Sequence, residues 1–159
     1  MTINHALGRA LDRLCDHDKI LFENDASERS ICHRLALYLE DEFPDFDVDC
    51  EYNCDCNDPR LVKRLYSEKL LEIVRENNPE FRGDSVTVYP DIIIHHRNTN
   101  RNLLVIEAKK TTSGVSVEYD MEKLRAYKKE LGYVFAKFLK FGTRKGDDQI
   151  CENRFVNPQ

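Results

Sequence analysis

The chain has 159 residues, of which 41% are hydrophobic and 33% are charged, a balance typical of a soluble globular protein. No apolar run is long enough to span a membrane, and the amphipathic N-terminus lacks the apolar core of a signal peptide. These features argue against a membrane protein and predict one cytoplasmic domain over residues 1–159.

The net charge is −5, which does not by itself favour nucleic-acid binding, but the charges are unevenly distributed. Residues 40–58 hold nine acids and no Lys or Arg, whereas residues 121–145 hold eight Lys or Arg and two acids. The basic segment permits a local anion-binding face, and the alternative is a solvated helix and strand edge.

Apolar periodicity predicts four helices, at residues 2–15, 25–42, 58–77 and 117–130. Alternating or short apolar runs predict four strands, at residues 46–52, 86–96, 102–110 and 132–141. Asp58 and Pro59 are suited to cap and start the third helix, and the tail after Gly146 is expected to be loosely ordered. Without the inserted helix, the elements from 25 to 141 have the order αβββαβ. The predicted fold class is therefore α/β, a mixed sheet flanked by helices, with an additional N-terminal helix.

Three of the six cysteines, Cys50, Cys54 and Cys56, lie within seven residues of one another. A structural zinc site usually has four ligands at spacings such as C-x2-C, and this cluster has no neighbouring His. An ordinary strand end and loop is the favoured interpretation, with a zinc site as the weaker alternative.

The stretch VYPDIIIHHRNTNRNLLVIEAKK, residues 88–110, predicts a β-hairpin in which each strand carries a carboxylate. If His96 pairs with Asn102 across the turn, Asp91 lies opposite Glu107, with Cβ atoms about 5 Å apart. Lys109 then lies on the same face, because side chains alternate along a strand. The opposite face is predicted to be apolar and to contain Ile92, Ile94, Leu104, Ile106 and Ala108.

Two carboxylates that face each other repel, and a divalent cation such as Mg²⁺ or Mn²⁺ would offset the repulsion. A lysine beside that cation is suited to orient or deprotonate water, or to stabilise charge on a phosphate, which is the chemistry of phosphodiester hydrolysis. The alternative is that Asp91 merely starts a strand after a proline, while Glu107 pairs with Lys109 or Lys110 at a strand end.

Pro90-Asp91 and Glu107-Ala108-Lys109 together resemble the active-site signature of the PD-(D/E)XK nuclease superfamily. The hairpin and the EYN stretch at residues 51–53 are also similar to small prokaryotic members of that superfamily. The resemblance implies a restriction-endonuclease-like core over about residues 25–141 and a nuclease that favours DNA over RNA. Mg²⁺ or Mn²⁺ would be held by Asp91, Glu107 and the Ala108 carbonyl, and Lys109 would position the attacking water.

The resemblance nominates two further catalytic residues. Glu28 matches an acid that many members carry on the first core helix, and the alternative is the third position of a capping box with Asp25 as N-cap. Lys123, followed four residues later by Tyr127, matches a polar position that is often Gln in relatives. The alternative there is a solvent-facing lysine with Tyr127 packed on the sheet.

Two functions follow as expectations. The first is a metal-dependent nuclease that acts as a homodimer or is recruited by a protein partner. The second is a non-catalytic module of the same fold, in which the acidic segment at 40–58 would bind a partner and the basic helix would bind nucleic acid without cutting it.

Overall fold

A computed structural model of the chain describes residues 2–54 and 62–157. Within those residues the helices are α1 (Ile3–His17), α2 (Lys19–Glu23), α3 (Glu28–Glu42), α4 (Glu68–Asn77) and α5 (Val117–Leu131). The strands are β1 (Asp47–Cys50), β2 (Arg64–Leu65), β3 (Val86–Thr87), β4 (Ile92–His95), β5 (Asn102–Lys110), β6 (Phe135–Phe141) and β7 (Ile150–Phe155). Over these ranges, no helix has the length and apolar character needed to cross a membrane.

Five strands form one mixed sheet in the order β1-β4-β5-β6-β7. Neighbouring strands are antiparallel except for β5 and β6, which run parallel and are connected by α5. β2 and β3 form a separate two-stranded ribbon. Because β5 and β6 are parallel, their carboxyl ends lie at the same edge of the sheet, and the candidate site lies at this edge.

The hairpin of β4 and β5 has the predicted register where the candidate site lies. Ile92 pairs with Ile106, which is the register that sets Asp91 opposite Glu107. At the turn, an irregularity shifts the register so that His95, not His96, pairs with Asn102. The expected pairing at the turn is therefore wrong by one residue, while the predicted pairing at the site end is confirmed.

Each face of the sheet is covered by helices. The predicted apolar face is confirmed, and it packs in one hydrophobic cluster with α1 and α3. Its residues are Ile92, Ile94, Leu104, Ile106 and Ala108. The opposite face packs against α5 through a second cluster that includes Ile93, Val105, Leu124 and Tyr127. The face that carries Glu107 is therefore the one covered by α5, and side chains from that helix meet the candidate site.

The helix predicted at 58–77 is correct only in its second half. Asp58 and Pro59 lie outside the described residues, and Arg64–Leu65 forms β2, which pairs with β3. Helix α4 begins at Glu68, with Ser67 as its N-cap accepting a hydrogen bond from the amide of Leu70. Leu65 is fully buried, so its apolar character reflects packing of the ribbon and not a helical stripe.

Two further boundaries differ from the prediction. The strand expected at 86–96 is divided into β3 and β4, with Pro90 between them, because proline has no amide hydrogen to donate to a sheet. The tail expected to be loosely ordered instead contains β7, which pairs antiparallel with β6. The expected strand at 132–141 starts only at Phe135, because Gly132 has φ 69° and caps α5.

Candidate functional site

Glu107 is the most deeply buried acid of the candidate site. Its side chain lies between β5 and α5 and is only 2% exposed. Lys123 Nζ donates a hydrogen bond to Glu107 Oε2 over 2.7 Å, whereas Oε1 is buried without a hydrogen-bond partner among the described residues. An unsatisfied buried acceptor costs about 1–3 kcal/mol, a cost that a bound cation would remove.

Asp91 lies immediately before β4, and its carboxylate turns towards β5. Its Oδ2 accepts a hydrogen bond from the backbone amide of Ala108 over 2.7 Å. This contact brings Asp91 to the segment that carries Glu107, as the hairpin register predicts. The contact of Ala108 is made through its amide, and the expected role of its carbonyl as a metal ligand stays a prediction.

Asp120, on α5, is a site residue that the sequence did not reveal. It is 3% exposed and lies between two lysines. Lys109 Nζ is 2.8 Å from Asp120 Oδ2 and forms an ion pair with it, although the angles of this contact do not fit a hydrogen bond. Lys123 Nζ is 3.2 Å from Asp120 Oδ1. Acids are common in the first turn of a helix because they favour its dipole, so Asp120 does not stand out in the sequence.

Glu28 is the first residue of α3, and its carboxylate reaches the carboxyl end of β5. Its Oε2 accepts a hydrogen bond from the backbone amide of Lys110 over 2.9 Å. Ser27 is the N-cap and accepts a hydrogen bond from the amide of Ser30, so the alternative interpretation of Glu28, a capping box with Asp25 as N-cap, is wrong. Asp25 instead contacts Lys110 Nζ over 2.8 Å.

Lys123 is largely buried, so its alternative interpretation as a solvent-facing lysine is wrong. Its side chain is 12% exposed, and its ammonium contacts both Glu107 and Asp120. Tyr127 is fully buried in the cluster beneath α5. Burial, followed by the charge of Glu107, raises the pKa of the Tyr127 phenol well above its ordinary value.

Burial shapes the electrostatics of the three candidate acids. It raises the pKa of Glu107 to about 8, with Lys123 opposing the rise and Asp91 adding to it. Burial also raises the pKa of Asp91, although the hydrogen bond from the Ala108 amide lowers it in part. It likewise raises the pKa of Glu28, although the charge of Lys109 lowers it in part. The pKa of Lys123 is raised by Glu107 and Asp120 although burial opposes its charge. Burial therefore outweighs the neighbouring lysines, and each of the three carboxyl groups holds its proton more readily than it would in water.

The composition of the site suits a divalent cation. Four carboxylates, those of Glu28, Asp91, Glu107 and Asp120, accompany two ammonium groups, so the fully ionised set carries an excess of two negative charges. Carboxylate oxygens are the ligands that Mg²⁺ and Mn²⁺ prefer, and Glu107 Oε1 has no other partner in the described structure. Over residues 2–54 and 62–157, no three His, Cys, Asp or Glu side chains already converge as a metal-binding group. A divalent cation at this site would therefore be bound by two carboxylates, and backbone or solvent oxygens would complete its coordination shell.

A cleft of about 790 Å³ lies beside the site, between the start of α3 and the end of β1. Its walls include Glu28, Asp91 and Cys50, together with Arg29, which binds Glu51 over 2.8 Å. The cleft offers an approach to Asp91 from solvent. The side chain of Glu51, in the EYN stretch, accepts hydrogen bonds from Arg29 in the cleft wall. Within the described structure it forms no hydrogen bond with Glu107 or Lys109.

Arginines outside the acidic segment neutralise much of it. Such ion pairs join Asp41 to Arg13, Glu42 to Arg9, Asp47 and Asp49 to Arg97, and Glu51 to Arg29. This pairing weakens the case for an acidic partner-binding surface at 40–58.

The cysteine cluster has no metal-binding geometry within the described residues, and Cys56 lies outside them. Burial raises the pKa of the Cys50 thiol to about 11. A zinc ion requires thiolates, so this environment does not favour zinc at Cys50.

Comparisons of the chain with protein-family models, with curated proteins and with solved structures found no match.

Proposed function

We propose that the chain is a metal-dependent nuclease of the PD-(D/E)XK superfamily, with DNA favoured over RNA as its substrate. The order α3-β1-β4-β5-α5-β6, with β2, α4 and β3 inserted after β1, supports a restriction-endonuclease-like core. The signature residues of the sequence lie in this core at the hairpin and at the end of β5.

The observation that carries the proposal is the meeting of Asp91, Glu107 and Lys109 at one edge of the sheet. Asp91 contacts the amide of Ala108, the residue between the other two, and Lys109 and Glu107 are connected through Asp120 and Lys123 of α5. A strand-end salt bridge between Glu107 and its neighbouring lysines would be the structural alternative. Glu107 instead pairs with a lysine from α5, and its buried Oε1 forms no hydrogen bond with a described residue, although the Tyr127 phenol lies near this carboxylate.

In the proposed reaction, Asp91 and Glu107 would hold Mg²⁺, with the Ala108 carbonyl as a further ligand. When bound, the cation would supply Lewis acidity to a phosphodiester and to water. Lys109, whose ammonium is held by Asp120, positions the attacking water. Lys123 provides a second positive charge for the phosphate, and Glu28 assists from the start of α3. The buried setting strengthens each of these electrostatic interactions because water screens them less.

Calorimetry with Mn²⁺ tests the metal site without any assumption about the substrate. We expect the wild type to bind, and Asp91→Ala and Glu107→Ala to weaken binding by at least about 100-fold, because each removes a direct ligand. Asp45→Ala is the matched control, since Asp45 is an exposed acid away from the site. Circular dichroism checks that each variant is folded. Binding that survives both site substitutions would show that the metal lies elsewhere.

Replacing Asp120 by Asn should lower DNA cleavage about tenfold, equivalent to ~1.4 kcal/mol, because Lys109 loses the charge that holds it. Glu122→Gln is the control. Glu122 is a buried acid of the same helix, paired with Lys69 and Arg125 away from the site. Both changes remove buried ion pairs, so thermal melting should show a loss of stability in each. Equal effects of the two variants on cleavage would contradict the role of Asp120.

A further inference from the structure

The loop between β6 and β7, residues 142–149, presents two exposed cations at the edge of the sheet where the candidate site lies. Arg144 and Lys145 are both exposed, and neither forms a salt bridge with a described residue. The neighbouring acid, Asp147, accepts hydrogen bonds from the Thr111 hydroxyl over 2.5 Å and from the Arg144 backbone amide over 3.1 Å. Arg144 and Lys145 are therefore exposed in a loop that also carries the exposed acids Asp147 and Asp148, and Asp147 holds the loop through its hydrogen bonds.

The loop is held rigidly against the end of β5. The amide of Thr111 donates to the Phe141 carbonyl over 2.8 Å, and the amide of Thr143 donates to the Thr111 hydroxyl over 3.1 Å. Gly142 is required by close packing, because a Cβ there would lie 1.9 Å from the Asp148 carbonyl oxygen. A surface that is ordered before binding loses less conformational entropy when a ligand arrives.

The loop is also close to the candidate site along the strands. Lys110 pairs with Phe141, so Glu107 and Arg144 each lie three residues from that pair along the chain. At about 3.3 Å per residue, Glu107 and Arg144 are separated by at most roughly 20 Å along this edge. One strand of a duplex advances about 3.4 Å per nucleotide, so that separation corresponds to at most about six nucleotides.

A cavity of about 400 Å³ lies between the loop and α2. Three cations and two acids line it: Arg144, Lys145 and Asp147 from the loop, and Lys19 and Glu23 from α2, which pair with each other over 3.1 Å. Arginine and lysine side chains are the usual partners of nucleic-acid phosphates, which they bind independently of base sequence. The cavity therefore carries a small excess of positive charge, and it lies at the same end of the sheet as the candidate site, on the side covered by α2.

We infer that the β6–β7 loop binds the phosphodiester backbone of the same nucleic-acid strand whose scissile phosphate lies at Asp91 and Glu107. This inference rests on the proposed nuclease function, and it deepens that function by identifying Arg144 and Lys145 as sequence-independent contacts. An acidic peptide is the competing ligand. Its charges are irregularly spaced, so they match two anion-binding positions within about six nucleotides of each other less well than a regular phosphate backbone does.

The test is fluorescence anisotropy of a labelled single-stranded DNA oligonucleotide in EDTA, over a series of salt concentrations. We expect the double variant Arg144→Ser/Lys145→Ser to bind about tenfold more weakly at low salt. The slope of log affinity against log salt should also become shallower by about 1.4, since each single-strand phosphate contact contributes about 0.7. The matched control is Arg101→Ser/Lys129→Ser, which removes the same charge from exposed residues at the β4–β5 turn and near the end of α5.

Equal losses in the two double variants, an unchanged salt slope, or no binding by the wild type would each overturn the inference. Displacement of the DNA by equimolar poly-glutamate would also overturn it, because the loop would then recognise charge alone. Cleavage is measured separately with Mg²⁺ present. A protein that binds DNA through the loop and never cleaves it contradicts the proposed nuclease while supporting the backbone-binding role.

Discussion

Replacing Lys109 by Met should lower metal-dependent DNA cleavage by about 10²- to 10⁴-fold and leave Mn²⁺ affinity within a few-fold of wild type. Lys109 is buried beside Asp120, and it lies two residues after Glu107 on the same strand face. In the proposed mechanism its amine positions the attacking water, whereas the metal is held by the carboxylates. Methionine preserves the length and apolar stem of the lysine, so the change removes mainly the amine.

Lys110→Met is the matched control for this prediction. Lys110 is the next residue of β5, but its ammonium contacts Asp25 outside the candidate site. We expect Lys110→Met to retain cleavage within a few-fold of wild type. A single-turnover assay at saturating Mg²⁺, with calorimetry for Mn²⁺ affinity, separates the chemical step from metal binding. Loss of Mn²⁺ binding in Lys109→Met, or equal losses of cleavage in both variants, would contradict the assignment of Lys109.

The parts of the site that lie within one hairpin could be predicted from the sequence, because they depend on local geometry. Alternation of side chains and a short turn are enough to set Asp91 opposite Glu107. The one-residue register shift between Ile94 and His95 is confined to the turn end of the hairpin and does not change the pairing at the site. Asp120 could not be found in this way. Its position between Lys109 and Lys123 depends on how α5 crosses the sheet, which no local pattern encodes.

The errors in the fold have similar physical causes. Leu65 has helical spacing relative to later leucines, but it is buried by pairing of β2 with β3, a contact between distant segments. Strand β7 is rich in polar residues and lies at the sheet edge, where one face and one side remain exposed, so its apolar signal is weak. Ser27 rather than Asp25 caps α3 because Asp25 is engaged by Lys110 and Thr112 at the end of β5. In each case a tertiary contact overrides a local preference.

Glu107→Gln should remove a pH dependence from the stability of the metal-free protein. The pKa of Glu107 is raised from 4.5 to about 8, chiefly by burial, so the folded state holds a proton that the unfolded chain releases above pH 4.5. The contribution of Glu107 to the free energy of unfolding is therefore greatest below pH 4.5 and is lost as the pH rises towards 8. One retained proton changes that free energy by about 1.4 kcal/mol per pH unit, and the full window corresponds to at most about 5 kcal/mol.

The measurement is urea unfolding in EDTA from pH 5 to pH 8, for the wild type and for Glu107→Gln. The difference between the two proteins isolates Glu107, because His95, whose pKa is lowered by burial, changes stability in the opposite direction in both. We expect the glutamine variant to gain stability relative to the wild type as the pH rises, while Asp45→Asn follows the wild type. Saturating Mn²⁺ should stabilise the wild type most at pH 8, because the metal binds the carboxylate form, and should stabilise Glu107→Gln little. A constant difference between wild type and Glu107→Gln across this range would show that Glu107 is already ionised in the folded protein. The site would then hold its negative charge without a metal, and Lys123 would be its permanent counter-ion.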